Sequence, residues 1–450
     1  MKKIITIIGG GIAGLSAAVF LTEKKFDVRL IESSPKLGGR AYSYYDKEKA
    51  RYFDNGQHIL AGWYKNTFEY LKIIGTYDKL SFQKALEINF IDKRRKLYKL
   101  KCPKLFAPLN IILGLWKYNG FSFYDKIKLL NILRLINKEK YPDKMLLEIT
   151  VKDLLSKLNQ SERSSKLFWN PFIYAVFNAA PENVNAFIFV NVLKIGFTKI
   201  NHSNLVIPNI NLNNLLVNDA VKYLQNNDVE IQFDKAVSKI KISNDRVEYL
   251  KIENSAEISS DYYVCAVPFF SFKNLFDTDS FDKYFVDSDM LRPSSIISVH
   301  LFFENDIPEN VLENNSFGMT GLIDTNAQWI FKRSSKHLSL VISGADFMHS
   351  KPEKSHEEIV EICIEELNEC IEGFKELKII DSKVIKEKRA TFIPGIHSGY
   401  YRCEQVTEVE NLFIAGDWTN TKLPSTLESA VKSSRIISEY IYKNKNQSNI

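Results

Sequence analysis

The chain lacks any apolar run approaching the roughly 18 residues that cross a bilayer, so no transmembrane helix is expected. Its five cysteines (Cys102, Cys265, Cys363, Cys370 and Cys403) are scattered and odd in number, with no C-x-x-C pair and no metal-ligand spacing. That pattern excludes a disulfide framework, points to no metal site, and fits a reduced, cytoplasmic compartment. Charge of one sign is missing too: 60 basic residues face 54 acidic ones, for a net charge of +6. The densest basic run, Lys93-Arg94-Arg95-Lys96, is short enough to be a solvated turn, and no nucleic-acid footprint is seen. There is no internal repeat and no low-complexity tract, and only the tail from Asn444 reads as disordered.

What is present is a large apolar and aromatic content. With 45% hydrophobic and 12% aromatic residues, including 30 Phe and 21 Tyr, the chain can bury a large core and still line an apolar cavity. At 450 residues it exceeds one ordinary domain, and two interleaved domains are expected.

The strongest local pattern opens the chain. Ile4-Ile5-Thr6-Ile7-Ile8 reads as a strand buried on both faces. Gly9, Gly11 and Gly14 follow in G-x-G-x-x-G spacing, and Ile12 and Ala13 lead into a helix through Leu21. Such glycines permit a tight turn, close approach to a pyrophosphate and close helix–strand packing, with the phosphates on the helix N-terminus. A second strand, Asp27 to Ile31, ends at Glu32 and Ser33. A carboxylate there suits both ribose hydroxyls and repels a 2′-phosphate, which argues against NADP. Lys2-Lys3 before an apolar stretch could also open a secretory signal, but no small-residue cleavage site follows. Next comes Gly38-Gly39-Arg40, able to bring backbone and a fixed cation to a second phosphate contact.

Further along, Phe53-Asp54-Asn55-Gly56-Gln57-His58 reads as a strand end entering a glycine turn. Residues 66–80, 122–137 and 357–371 read as amphipathic helices, and 140–228 as mostly helical. The stretch 105–116 is apolar nearly all round, between Lys104 and Lys117. It is either a buried helix or lid, or a segment dipping into one membrane leaflet with Trp116 at the interface. Short strands follow over 229–267, then at 294–303 and 338–343. Leu412-Phe413-Ile414-Ala415 reads as a buried strand ended by Gly416-Asp417, with a last helix from Thr426 to Ile441. A Gly-Asp ahead of a helix is a natural cofactor contact at a sheet edge, or simply a turn with a cap.

Taken together, these motifs resemble the flavin-containing amine oxidase and phytoene desaturase superfamily over nearly the whole chain. Within it the closer likeness is to the squalene-associated FAD-dependent desaturases, the hydroxysqualene dehydroxylase group. It is carried by residues 53–58, Trp169-x-Pro171 with Asn178-x-x-Pro181, Gln328-Trp329-x-Phe331, and Ala415-Gly416-Asp417-Trp418-Thr419 with Leu423-Pro424-Ser425-Thr426-x-Glu428-x-Ala430. The resemblance implies an α/β fold: a Rossmann-like FAD-binding domain, a parallel sheet with a β-meander, interleaved with a mixed-sheet plus helical substrate domain. The expected segments are 1–80, 229–290 and 396–450 for the first and 81–228 and 291–395 for the second.

The resemblance also implies roles. FAD would be held by Gly9, Gly11, Ile12, Ala13, Gly14, Glu32, Ser33, Gly38, Gly39, Arg40, Asn55, Gly56, Gln57, Val237, Gly416, Asp417, Thr426 and Leu427. An isoprenoid would lie among Trp169, Phe172, Tyr174, Phe177 and Trp418. The implied reaction is reductive dehydroxylation of hydroxysqualene, with Asp54 or His58 as proton donor; the competing view makes both structural. His397, beside Pro394-Gly395, is a weaker candidate. Implied partners are the apolar substrate, a squalene-synthase-like pathway enzyme and the inner membrane face through 105–116. There are departures. Lys332 stands where the group tends to have an acid, and Ser298 where amine oxidases carry a lysine water-bridged to flavin N5. Losing that lysine weakens an amine oxidase reading. The same motifs also suit a carotenoid-type desaturase, running the flavin oxidatively, and a non-enzymatic lipid carrier built on this fold.

Overall fold

Strand β1 (Ile4–Ile8) is buried from Ile5 onward and turns through Gly9, at φ +100°, into helix α1 (Ile12–Glu23). That helix is buried from Ile12 to Thr22 on every face, which explains its uniformly apolar sequence. Strand β2 (Asp27–Ile31) returns parallel to β1, pairing Leu30 with Ile7. The ribbon β3 (Ser43–Asp46) and β4 (Arg51–Asp54) follows, then α2 (Lys65–Ile74). The structure, a computed structural model, describes residues 3–137, 142–253, 257–309, 311–312, 318–350 and 352–447.

The middle of the chain carries β5 (Glu87–Asp92), β6 (Leu97–Lys101), α3 (Leu109–Lys117), α4 (Phe123–Asn137), α5 (Asn170–Phe177), α6 (Ala186–Phe197) and α7 (Leu212–Leu216). It then returns through β7 (Glu230–Gln232), β8 (Val237–Ser243), β9 (Arg246–Ile252), β10 (Glu257–Ile258) and β11 (Tyr262–Cys265). Next are β12 (Pro293–Phe303), β13 (Met319–Ile323), β14 (Trp329–Ser334), β15 (His337–Ser343), α8 (His356–Cys370) and β16 (Ile379–Phe392). Strand β17 (Leu412–Ile414) and helix α9 (Leu427–Gln447) close the chain.

Among the described residues, β7-β2-β1-β11-β17 form a parallel sheet in that order, and β8-β9-β10 an antiparallel meander beside it. A second sheet, β16-β12-β15-β14-β13-β5-β6, is antiparallel except where β13 meets β5. The expected mixed α/β architecture is therefore present. Each sheet draws strands from distant parts of the chain. On one face of the mixed sheet, Ile297, Val299 and Leu301 join Ile359, Cys363 and Leu367 of α8 in a core. Beyond its other end, Phe90, Trp329 and Phe331 pack with Trp169, Ile173, Phe177 and Phe189 of the helical region.

Three expectations need correction. The helix expected over 66–80 stops at Ile74, because Gly75 takes a left-handed φ of +79° and its N–H caps the last turn. The last helix does not end at Ile441; it runs to Gln447, through the residues from Asn444 that read as disordered. Lys445, whose ammonium lies 4.6 Å from the Phe26 ring centroid, anchors that extra turn; residues 448–450 lie outside the described ones. The stretch 105–116 is not a buried helix: Phe106 is 61% exposed, and Leu105, Leu109, Leu113 and Trp116 are also exposed.

Candidate active site

The glycine turn between β1 and α1 is shaped by contacts that leave no room for side chains. A Cβ on Gly14 would stand 1.8 Å from the Gly9 carbonyl oxygen, so only glycine lets α1 approach β1 this closely. At Gly11 the opposite holds: an added Cβ meets nothing within 4 Å, so the turn opens onto free space at the start of α1. The first turn of α1 carries no acidic residue and no side-chain cap. Its N–H groups and positive dipole end are thus available to an anion such as a pyrophosphate.

Glu32, just past β2, accepts hydrogen bonds from the Gly10 N–H at 2.6 Å and the Ser34 N–H at 2.8 Å, with the Ser33 hydroxyl at 3.2 Å. The Glu32 carbonyl accepts from Lys235 N–H, which brings the start of β8, with Val237, alongside. Gly38 donates to the Gly10 carbonyl at 2.9 Å, so the Gly38-Gly39-Arg40 segment crosses over the glycine turn.

Arg40 then joins the two ends of the chain. Its guanidinium lies 2.5 Å from the Asp417 carboxylate and also donates to the Ala390 carbonyl at 2.6 Å. Asp417 accepts from Ser425, and its carbonyl accepts from Ser429, fixing the strand end to the Thr426–Leu427 start of α9. Arg402 stands behind this corner, fully buried, donating to the Trp418 carbonyl at 3.1 Å and to Thr419 and Thr421. Burial pushes its guanidinium down to about 10, with Asp417 and Glu404 pulling the other way. Sequence reading missed Arg402, which stands in no motif.

The 53–58 turn meets the same corner. Asn55 donates to the Arg40 carbonyl at 2.9 Å, while its Oδ1 is buried without a partner. Ser298 of β12 faces the turn: its hydroxyl is 3.5 Å from the Asn55 carbonyl, and a Cβ on Gly56 would lie 3.7 Å from it. Asp54 accepts from the Ser43 hydroxyl at 2.6 Å and the Leu212 N–H at 3.2 Å, and faces Arg333 at 3.6 Å. It therefore braces β4 to α7 as well as lining a small cleft with Gln57, His58, Phe331, Lys332 and Arg333. Burial pushes the His58 imidazole below its usual value; Asp54 opposes that drop and Arg40 adds to it. A neutral imidazole at pH 7 is a poor acid, which counts against His58 as the proton donor. His397 lies apart, its nearest carboxylate Glu148 at 4.0 Å.

The aromatic candidates divide. Trp169, Phe172 and Phe177 meet on Phe189, with centroid distances of 6.0, 6.3 and 6.2 Å. Tyr174 packs near Gly344. Trp418 is elsewhere: it donates to the Val267 carbonyl and packs on Phe272 in the core behind the parallel sheet. Beside Trp169 an apolar groove of about 600 Å³, counting space open to solvent, runs between α3 and α4. Its lining includes Ile111, Leu115, Leu129, Leu133 and Phe197.

The fold and the glycine turn define a dinucleotide-binding oxidoreductase scaffold, with a second sheet and a helical region that carries an apolar groove. The chain belongs to the flavin-containing amine oxidoreductase family, whose pattern matches residues 12–441, and so it is a flavin-dependent oxidoreductase. It is 28% identical to a hydroxysqualene dehydroxylase of Zymomonas mobilis, over 95% of this chain and 96% of that protein. It is 24% identical to a chloroplastic 15-cis-phytoene desaturase of Capsicum annuum, over 97% of this chain and 77% of that protein. Among solved structures, an oxidoreductase of Methanosarcina mazei superposes with a TM-score of 0.75 at 15% identity, covering 97% and 100% of the two chains, a likeness of fold alone.

Proposed function

We propose that the protein is an FAD-dependent hydroxysqualene dehydroxylase, replacing the hydroxyl of an apolar isoprenoid alcohol with hydrogen. The observation that carries the reading is the end-to-end similarity to the dehydroxylase of Zymomonas mobilis. The site agrees with it. The orphaned Asn55 Oδ1 and the open face of Gly11 fit a bound dinucleotide. Gly9, Gly11, Ile12, Ala13, Gly14, Gly38, Gly39 and Arg40 would take the diphosphate; Glu32, Ser33 and Val237 the adenosine; Asn55, Gly56, Gln57, Gly416, Asp417, Thr426 and Leu427 the flavin end. The cofactor supplies hydride when reduced. The chain's own residues keep the compartment dry, orient the alcohol, and deliver a proton to the departing hydroxyl. Asp54 is the proposed donor. Phe172 and Tyr174 present faces able to stabilise a carbocation.

The substrate would enter from a lipid surface. Leu105, Phe106, Leu109, Leu113 and Trp116 on one side and Phe123, Tyr124, Ile127 and Leu130 on the other are exposed around the groove mouth, with Lys104, Lys117, Lys126 and Lys128 among them. A squalene-synthase-like enzyme would supply the alcohol's precursor. Anaerobic, chemically reduced protein mixed with hydroxysqualene should yield squalene and oxidised flavin. The similarity to phytoene desaturase keeps a second reading open, in which oxidised protein desaturates a polyene. Product from phytoene but none from hydroxysqualene would reverse the assignment.

A further inference from the structure

A buried polar cluster lies behind the 53–58 turn, outside the residues that would hold the cofactor or the isoprenoid. Strands β12 and β15 pair His300 with Ser339 and Phe302 with His337, so these four side chains share the sheet face that carries Ser298. Strand β4 crosses this face: the Phe53 ring lies 5.6 Å from His300, and the Arg51 guanidinium 3.4 Å from the Phe302 ring centroid. His300 is fully buried, and its Nδ1 is 3.0 Å from Nε2 of the half-buried His337. The Ser339 hydroxyl directly across the strand pair is buried without a partner, and His300 Nε2 makes no well-formed hydrogen bond, although the Asp54 backbone lies close enough to His300 to favour its proton. Two polar atoms left so on facing residues are costly unless a water joins them. Apolar side chains would suit the surrounding Phe53 and Phe302 better, so packing alone does not account for two histidines here.

We propose that His337 and His300 form a proton relay from solvent to the 54–58 turn, completed by one water held between His300 Nε2 and the Ser339 hydroxyl. The proposal rests on the dehydroxylase reading, which needs one proton per turnover. The alcohol's C–O bond breaks, the proton leaves with the hydroxyl as water, and the carbon receives hydride with its electron pair from reduced flavin. A proton taken up on His337 Nδ1 displaces the proton of its Nε2 onto His300 Nδ1; His300 then gives its Nε2 proton to the bound water, which releases one of its own toward Asp54. Rings that are neutral at rest suit this hand-over. Burial pushes His300 to about 4 and His337 to about 3, with Arg333 and Arg51 adding to both drops and the Asp54 backbone opposing that of His300. The charged groups on this face are Arg51 and Asp54 of β4, Arg333 of β14, and Asp381 and Lys383 of β16, paired with Phe302 and His300.

The test uses flavin-loaded wild type, His300→Asn and His337→Gly, the latter at a position open enough to take free imidazole. Reoxidation of anaerobically reduced protein by hydroxysqualene is followed in H₂O and D₂O. Both variants should keep their flavin, slow about a hundredfold, and show a larger solvent isotope effect, with imidazole restoring His337→Gly. Wild-type rates in both variants would overturn the relay. So would slow variants that imidazole does not restore and whose isotope effect is unchanged, since that pattern marks packing alone. If His300→Asn fails to fold, His337→Gly decides by the same criteria. Wild-type protein that never oxidises its flavin with hydroxysqualene would sink the dehydroxylase reading itself, a result distinct from either.

Discussion

Both carboxylate oxygens of Glu32 are already engaged, one by the Gly10 N–H and the other by the Ser34 N–H. Glu32 thus shapes the glycine turn, and its remaining lone pairs are those that the ribose of the proposed FAD would use. Glu32→Ala should weaken FAD binding by about tenfold to a hundredfold, as expected from losing charge-assisted hydrogen bonds worth about 1.5–3 kcal/mol. Titrating apoprotein with FAD measures this, and an unchanged affinity would remove Glu32 from the site. The histidine pair makes a pH prediction. An unfolded imidazole binds its proton near 6.5, whereas folded His300 and His337 do so near 4 and 3. Between those values the unfolded chain holds more protons, so stability is complete above about pH 6.5 and declines as pH falls. Each pH unit costs about 1.4 kcal/mol for His300 and less for the half-buried, partly solvated His337. Thermal midpoints of wild type should therefore fall between about pH 7 and about pH 5 more steeply than those of His300→Gln/His337→Gln. Parallel slopes would show that neither ring is held neutral. Glu32 was legible in the sequence because its partners are near neighbours in one motif. The histidines were not, because β-pairing rather than spacing joins His300 to His337 and places both behind Asp54.

At the scale of elements, sequence pattern identified α1 and the parallel strands β1, β11 and β17, which are largely buried and whose apolar sequences say so. It could not decide the stretch 105–116, because an apolar segment looks the same whether neighbours cover it or not. The structure shows which side chains are covered: α3 and α4 line the groove with their inner faces, and Phe106, Trp116 and Phe123 are exposed, Phe123 by 72%. Strands β5, β6 and β16 also escaped sequence reading. Strand β16 carries Asp381, Lys383, Lys386, Glu387, Lys388 and Arg389 among its apolar residues, as an edge strand can, and such a pattern resembles a solvated loop. The motif Asn178-x-x-Pro181 was visible, but not its use. Asn178, at the left-handed end of α5, donates to Ser294, Ser295 and Thr391 and accepts from Gly344, pinning the helical region onto the mixed sheet. If α3 and α4 meet a lipid surface, Phe106→Glu/Trp116→Glu should lower sedimentation with vesicles of phosphatidylcholine and phosphatidylglycerol at least about tenfold. Each aromatic removed from lipid loses about 1.5–3 kcal/mol of burial. Flavin content should not change. Equal sedimentation of variant and wild type would place the membrane contact elsewhere or nowhere.

At the scale of the whole molecule, the site is where the chain closes on itself. Residues from β1–β2, the 53–58 turn, β12 and the β17–α9 corner converge, and Arg40 with Asp417 bridges positions 377 apart in sequence. The interleaving was readable because the returns at Tyr262–Cys265 and Leu412–Ile414 leave short apolar strands. The pairing of Arg40 with Asp417 was not, since each reads locally as a phosphate or ribityl contact. The ion pair is partly exposed, at 29% and 12% for the two side chains, so its intrinsic worth is modest, about 1 kcal/mol. Its larger effect is to tie the Gly38–Arg40 segment to the β17–α9 corner, the two halves of the proposed cofactor site. Removing either partner should therefore cost as much as removing both: Arg40→Gln, Asp417→Asn and the double variant should share one lowered thermal midpoint as apoproteins. If FAD is the flavin, as proposed, and binds only the folded chain, it should raise the wild-type midpoint with the logarithm of its concentration and raise the variants less. Additive losses in the double variant would mean that Arg40 and Asp417 stabilise the fold separately, each through its own contacts such as Ala390 and Ser429. A midpoint insensitive to FAD in wild type would mean that the closure of the chain does not depend on the cofactor at all.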